Sequence, residues 1–342
     1  MADTQRCVIL NIGRCGSTLL SDLIAAEPET LSVQESLMTL MSLRWDASMY
    51  DELAGSQYWD IMRTPSLQWQ VCVRIGAITG EYRYPATGRW ADNLAALPPI
   101  LAVTLPAISD DPDTLFDFLD ARVPHFPVQP LAQHHQMLLD LLASLYGRRR
   151  WVERTGASSR MAVWLLKEFP ADKVVYLSRN MGDAALSMSR HFDFQLAAIQ
   201  VELLGWGGFN PYSSRTPSVG AHGPGQRLPA QMRCLLPDQL TREALAEWGG
   251  KLSRHELMCA ELIRCAEWAL AAHRPRHLLR MQYEDLVVKP VEELTRLGEF
   301  LGFADPSGWA VGAAGRVSNL RGNSGRPASS GATAAPYAEP TP

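Results

Sequence analysis

The chain has 342 residues, 46% of them hydrophobic, and its 32 basic and 36 acidic side chains give a net charge of −4. This balance argues against a nucleic-acid partner and against a polybasic membrane anchor. The most apolar long stretch, residues 94–108, is interrupted by three prolines, and the first apolar run is too short for a signal peptide, so we expect no membrane insertion. Six scattered cysteines without a CxxC or zinc-type spacing are typical of a reduced compartment. We therefore expect a cytoplasmic protein without a metal site.

Strands and helices alternate along most of the chain. A buried strand is predicted over residues 7–12, followed by a glycine loop and an amphipathic helix, and the same order returns at residues 173–177, with Asn180 as the N-cap of the next helix. Helices over 131–146 and 158–169 flank a short strand at 150–154. This alternation predicts an α/β fold, in which a central parallel sheet is flanked by helices in one domain.

The C-terminal half continues this pattern, with two interruptions. A long helix is predicted over 243–272, a strand over 277–283 and a further helix over 288–301. Residues 203–240 are rich in glycine and proline, which fits either a disordered insertion or a lid over a substrate pocket. Residues 326–342 contain little to bury and are predicted to be a disordered tail, which leaves 1–325 as the domain. Residues 36–125 show no clear pattern.

The loop after the first strand has the sequence Gly-Arg-Cys-Gly-Ser-Thr over residues 13–18. A glycine turn that opens a helix directs backbone N–H groups and the positive end of the helix dipole at one point, which favours an anion. Arg14 adds charged donors, and Ser17 and Thr18 add hydroxyls. No lysine occupies the position that it has in nucleotide triphosphate loops. A tight turn without a ligand is the simpler alternative for this loop.

Four motifs in chain order resemble the sulfotransferases that use 3′-phosphoadenosine 5′-phosphosulfate (PAPS), particularly the tyrosylprotein and bacterial branch with its P-loop-like fold. The first is the loop just described, which is similar to the family's PRSGTT loop around the 5′-phosphosulfate. The resemblance implies donor contacts from Arg14, Cys15, Gly16, Ser17 and Thr18, mostly through the backbone. The position of Cys15 in an electropositive loop would lower its thiol pKa, although we expect its N–H to matter more.

The remaining motifs imply further contacts with the donor. Arg179 and Ser187 have the family's spacing for the 3′-phosphate, and the order Asp183, Ser187, His191 predicts one face of a helix. Tyr283, in the segment Met-Gln-Tyr-Glu-Asp-Leu, resembles the residue beside the nucleotide. In a weaker match, Arg321 and Gly322 resemble the loop that closes over the 3′-phosphate, a stretch that also looks like a disordered tail.

The resemblance also implies the catalytic residues. In the tyrosylprotein branch a glutamate shortly after the first helix is the base, and Glu35 is the corresponding candidate, since a strand can return it to the edge of the sheet that carries the loop. A solvent-facing glutamate at a helix start is the alternative. Arg154 lies where relatives usually have lysine, which would stabilise the bridging oxygen.

The expected function is sulfuryl transfer to a hydroxyl or amine of a small, fairly hydrophobic acceptor, by in-line displacement and without a metal. Two alternatives remain from the residues alone. A P-loop-type kinase or NTPase would need magnesium and the missing lysine. A catalytically inactive nucleotide-binding interaction module would bind the donor without turnover. The sequence shows no trace of the oligomeric state.

Overall fold

A five-stranded parallel sheet organises the larger part of the molecule. The computed structural model describes residues 4–43, 51–169, 171–213 and 228–323. Every neighbouring pair of strands in the sheet is parallel, and the spatial order is β2-β5-β1-β6-β7. A short antiparallel pair, β3 with β4, lies apart from it. The strands are β1 (Gln5–Asn11), β2 (Thr30–Gln34), β3 (Glu52–Leu53), β4 (Gln129–Pro130), β5 (Arg150–Arg154), β6 (Lys173–Ser178) and β7 (Leu278–Gln282).

The chain divides after Tyr283 into two compact units. Short 3₁₀ segments at Leu94–Ala96, Val123–His125, Ser158–Met161 and Ala230–Leu235 supplement the helices of the first unit. The helices of this unit are α1 (Ser17–Ile24), α2 (Met38–Leu43), α3 (Gly55–Arg63), α4 (Leu67–Arg74), α5 (Pro99–Ala102), α6 (Pro112–Asp120), α7 (Leu131–Leu145), α8 (Ala162–Glu168), α9 (Met181–Met188), α10 (Phe192–Gly207), α11 (Arg242–Gly249) and α12 (Leu252–His273).

The second unit is helical. Helix α13 (Tyr283–Val288) leads from β7 into α14 (Pro290–Leu301) and α15 (Pro306–Asn323), which pack on each other. Helix α14 ends at Gly302, whose left-handed backbone closes the helix with bonds back to Gly298 and Glu299. The rings of Phe303 and Trp309 then meet edge to face at 4.8 Å.

Four of the five strands of the sheet are largely buried. Every residue of β2 and β5 is buried, as are the last five residues of β1 and four of the six residues of β6, whereas in the edge strand β7 only Met281 is buried. This explains the nearly continuous apolar run at residues 7–12, since both faces of a parallel strand contact the core. The predicted α/β class with a central parallel sheet is confirmed. None of the helices in the described ranges is long and apolar enough to cross a bilayer.

Two helix predictions were wrong in extent. The single helix expected over 243–272 is broken into α11 and α12 at Gly249 and Gly250, two neighbouring residues of low helix propensity. The helix expected over 158–169 begins as a 3₁₀ turn and becomes α-helical only at Ala162.

The glycine-rich segment 203–240 is partly described. Its first residues complete α10, and Tyr212, Met232 and Leu235 are buried in one apolar cluster. Residues 214–227 and the predicted tail at 326–342 lie outside the described residues. The choice between a lid and a disordered insertion, and the domain boundary at residue 325, stay predictions.

Candidate active site

A cavity of about 310 Å³ opens at the carboxyl ends of the central strands. In parallel α/β sheets this edge is where ligands bind, since the loops that leave neighbouring strands diverge there. Nine of the residues predicted from the sequence line the cavity: Arg14, Gly16, Ser17, Thr18, Glu35, Arg154, Arg179, Ser187 and Tyr283. They come from segments up to 269 positions apart, from residue 14 to residue 283.

The loop between β1 and α1 is strongly curved. Gly13, Arg14 and Gly16 all have positive φ, and Gly16 is the N-cap of α1. Within the described residues this N-cap provides no side-chain acceptor for the first turn of the helix, whose N–H groups face the loop. A Cβ at Gly16 would lie 2.4 Å from the ring of Tyr283, which means that the ring lies directly on the bare loop backbone. The loop has the form of an anion cradle.

Asn11 joins this loop to the one after β5. Its side-chain oxygen accepts hydrogen bonds from the N–H groups of Gly13 and Ala157, at 3.0 and 3.1 Å, and its amide donates to the carbonyl of Thr155 at 2.7 Å. Asn11 is fully buried. Because one side chain is hydrogen-bonded to both turns, the position of the anion cradle relative to the loop that carries Gly156 is fixed.

Cys15 lies beneath the loop and does not line the cavity. Its side chain is fully buried, and burial raises the pKa of its thiol to about 11. The expected lowering of this pKa was therefore wrong, because loss of hydration outweighs the hydrogen bonds from neighbouring backbone groups. Only the backbone of Cys15 is left as a contact for an anion.

Arg14 and Arg179 meet on the other side of the loop. The Arg14 side chain donates from Nε to Ser187 Oγ at 3.2 Å and from Nη1 to Glu81 Oε1 at 2.9 Å. Arg179 donates to the carbonyl of Arg14 at 3.0 Å, and its guanidinium lies 4.7 Å from the centre of the Tyr283 ring. The Nε of Arg179 is buried without a hydrogen-bond partner among the described residues. Such an orphaned donor beside a bare loop favours an anionic ligand.

His191 differs from the prediction. Helix α9 ends at Met188, so His191 does not continue the face of Ser187 but is the N-cap of α10. It still lines the cavity, 4.0 Å from the carboxylate of Glu81. Burial and the nearby Arg14 charge lower its pKa to about 4, so its imidazole is neutral near pH 7.

Glu35 is the residue directly after β2 and is 7% exposed. This burial excludes the alternative of a solvent-facing glutamate. The Gly156 N–H donates to both carboxylate oxygens at 3.1 and 3.2 Å, and Arg154 forms a buried ion pair with Glu35. Burial raises the pKa of Glu35, and the Arg154 charge opposes that rise. Its backbone has a φ of +57°, an uncommon value for glutamate.

Arg154 is held on the same edge of the sheet by β5. It is 1% exposed and also donates to the side-chain oxygen of Gln34 at 2.9 Å. Gln34 in β2 and Glu35 in the turn after it therefore hold the guanidinium in place. Arg154 lies in the cavity wall beside the candidate base.

Several residues of the cavity were missed. Glu81 lies in an irregular segment and offers no sequence signal, whereas Asp193 belongs to the first turn of α10 and has the usual appearance of a helix-start acid. Arg160 also lines the cavity. Burial, then Glu81 and Glu35, raise the pKa of Asp193 to about 7. No cluster of metal-ligating side chains occurs in the part of the chain that the structure describes.

Arg321 and Gly322 were predicted in a closing loop, but the structure has them in α15. The segment from Pro306 forms this helix although it contains four glycines, which have low helix propensity. The side chains at 318–323 lie beyond the described part, so a role of these two residues in donor binding stays a prediction.

Comparison with known proteins finds similar sulfotransferase domains. A solved sulfotransferase domain from the curacin biosynthetic pathway aligns with a TM-score of 0.44 and 16% identity, over 88% of this chain and 75% of its own. The sulfotransferase domain of the Synechococcus PCC 7002 olefin synthase aligns with a TM-score of 0.35 and 14% identity, over 90% and 77%. A search of curated proteins found no significant match.

The family model for the sulfotransferase domain matches residues 157–308. The matched region contains Arg179, Ser187 and Tyr283, three of the residues that line the cavity. Its segments also supply two neighbouring strands of the central sheet, β6 and β7. This region of the chain is therefore similar to sulfotransferase domains.

Proposed function

We propose that this enzyme transfers a sulfuryl group from PAPS to a hydroxyl of a small acceptor, with Glu35 as the general base. The observation that carries the proposal is the convergence of the anion cradle, the Arg179 and Ser187 pair and the buried Glu35 on one cavity. An amine is a second possible nucleophile of the acceptor, since the same base and geometry would serve it.

The residues present fit the donor. The uncapped first turn of α1 and the Gly16 backbone suit the 5′-phosphosulfate, and the Arg179 donors suit the 3′-phosphate. Tyr283, which lies against both Gly16 and Arg179, offers a ring face beside the nucleotide. When bound, PAPS supplies a sulfuryl group whose bond to the bisphosphate breaks as the acceptor oxygen bonds to sulfur.

Glu35 accepts the acceptor's proton in this proposal. Two hydrogen bonds from the Gly156 N–H and the Arg154 charge orient its carboxylate and stabilise its ionised form, whereas burial makes it more basic. Only ionised Glu35 can act as a base, so turnover should rise with pH through its raised pKa. Arg14 and Arg154 face the same cavity and would stabilise charge that develops at the transferred group.

The loop at residues 13–18 has no lysine, which argues against the kinase alternative. A direct test follows sulfur from labelled PAPS into a panel of phenols and alcohols, with and without a chelator. We expect transfer that persists in the chelator. Turnover that requires magnesium and uses ATP would favour the kinase, and donor binding without any transfer would favour the interaction module.

The Glu35→Gln variant tests the base. It should lower turnover by about 10²- to 10⁴-fold, the usual range for a general base. Its affinity for adenosine 3′,5′-bisphosphate should stay unchanged, because Glu35 is not among the residues that form the anion cradle. Glu256→Gln, on the exposed face of α12, is the matched control. Near-normal turnover of Glu35→Gln would remove Glu35 from the reaction.

A further inference from the structure

A second, smaller cavity of about 120 Å³ borders the first. Both cavities are lined by Glu35, Met38, Gln68, Glu81 and Asp193, so these residues form the junction between them. The candidate base therefore lies where the two spaces meet. The smaller cavity, which we call the side chamber, extends away from the loop residues 13–18, none of which lines it.

The walls of the side chamber are largely apolar. Trp69 and Tyr82 stack with ring centres 6.0 Å apart, and alanine, valine, isoleucine and proline side chains complete the wall. The polar atoms of the wall are mostly engaged elsewhere: the Trp69 indole donates to the carbonyl of Leu94, and the Thr104 hydroxyl donates to the carbonyl of Gln34. A ligand in the chamber would meet aromatic and aliphatic surface.

The size of the side chamber limits what can enter it. An apolar cavity of about 150 Å³ in another protein holds one benzene molecule. The 120 Å³ of the side chamber, which is open toward Glu35, therefore suits a single ring or a short branched alkyl group. A fused ring system would have to displace the wall.

The junction carries three carboxylates, two of which are paired with an arginine. Glu35 is paired with Arg154 and Glu81 with Arg14, whereas no ion pair to Asp193 occurs among the described residues. Burial is the main cause of the raised pKa of Asp193, about 7, and the nearby Glu81 and Glu35 raise it further. Above that pH Asp193 is ionised, and an anionic group that passed this junction would then approach a carboxylate that has no ion pair among the described residues, which is unfavourable in a poorly hydrated site.

We propose that the side chamber is the acceptor site and that the acceptor is a small neutral phenol or cyclic alcohol, with its ring in the chamber and its hydroxyl at Glu35. The inference rests on the proposed sulfuryl transfer and specifies the substrate class of that reaction. The hydroxyl then lies at the boundary with the larger cavity, where the donor is expected. Carboxylated acceptors of the same size are excluded by the charge at the junction.

The binding test does not need turnover. Fluorine NMR of 4-fluorophenol should show binding to the wild-type protein, and Ala102→Leu, which fills the wall of the chamber, should weaken it by about tenfold or more. Ala272→Leu, an equal change on the exposed face of α12, should leave binding unchanged. Ile78→Phe fills the chamber from another segment and replaces Ala102→Leu if that variant does not fold.

Equal binding of 4-fluorophenol by the wild type and by a folded wall variant would overturn the acceptor assignment. Calorimetry with adenosine 3′,5′-bisphosphate on the same proteins separates the two proposals, because it tests the donor site alone. No binding of this nucleotide to the wild type would refute the proposed donor, while the fluorophenol result would still decide the chamber.

A turnover comparison tests the charge argument. With PAPS as donor, kcat/KM for 4-methylphenol should exceed that for 4-hydroxybenzoate by about tenfold or more, and Asp193→Asn should narrow this difference, since it removes one of the repelling charges. Equal use of both acceptors by the wild type would contradict the proposed substrate class.

Discussion

The ion pair between Glu35 and Arg154 makes a sharp test of how the base is held. Arg154→Met keeps most of the volume and apolar stem of the arginine but removes its charge. Both partners are almost fully buried, so the variant leaves a carboxylate without its cation in a site where water is scarce. Removal of one partner of a buried pair costs about 3–5 kcal/mol of unfolding free energy.

The cost should depend on pH in a defined direction. Without Arg154 the pKa of Glu35 rises further, because burial is then opposed mainly by the Gly156 N–H. A carboxyl whose folded pKa lies above its unfolded value loses stability as pH rises through that interval, by up to about 1.4 kcal/mol per pH unit. The deficit of Arg154→Met relative to wild type should therefore be small at pH 5 and largest near pH 8.

Urea unfolding at several pH values measures this deficit, and the acid limb of the pH–rate profile should move to higher pH in the same variant. In a Glu35→Gln protein, Arg154→Met should lower the free energy of unfolding by about 2 kcal/mol less than it does in the wild type, since no carboxylate is then left unpaired. A deficit below about 1 kcal/mol at every pH, together with an unmoved acid limb, would refute the view that Arg154 controls the base.

Two further variants test the loop and the junction. Gly16→Ala should weaken binding of adenosine 3′,5′-bisphosphate by about tenfold or more, because the new Cβ displaces Tyr283. The control is Gly147→Ala, which is also at positive φ but in open space. It should cost only about 1 kcal/mol of stability and leave binding of the nucleotide intact. Equal binding by both variants would contradict the cradle. Asp193→Asn should be more stable than wild type by about 4 kcal/mol at pH 8 and nearly equal at pH 4, because the pKa of this carboxyl is raised from 3.8 to about 7. Urea unfolding at the two pH values measures this, and a constant difference would count against it.

The sequence predicted those parts of the site that local patterns determine. The buried strand, glycine loop and helix around residues 5–24 and the strand that leads to Arg179 have strong periodic signals, and their parallel pairing brings Arg14 and Arg179 together. Glu35 was predicted from the family resemblance, and β2 returns it to the same edge of the sheet as the loop.

The rest depended on tertiary structure. Glu81 lies between elements, so no periodicity indicates that its carboxylate reaches Arg14, 67 positions away. Asp193 reaches the cavity only because α9 ends at Met188 and the chain turns before α10.

Recognition of the 3′-phosphate tests the central claim most directly, because that group distinguishes PAPS from ordinary adenosine nucleotides. Calorimetry should show that wild-type protein binds adenosine 3′,5′-bisphosphate about 10²–10³ times more tightly than adenosine 5′-monophosphate, the expected contribution of a desolvated charged contact. Arg179→Ala should erase most of this preference, whereas Glu35→Gln and the exposed control Arg276→Ala should keep it. Equal affinity of the wild type for the two nucleotides would contradict the proposed donor site.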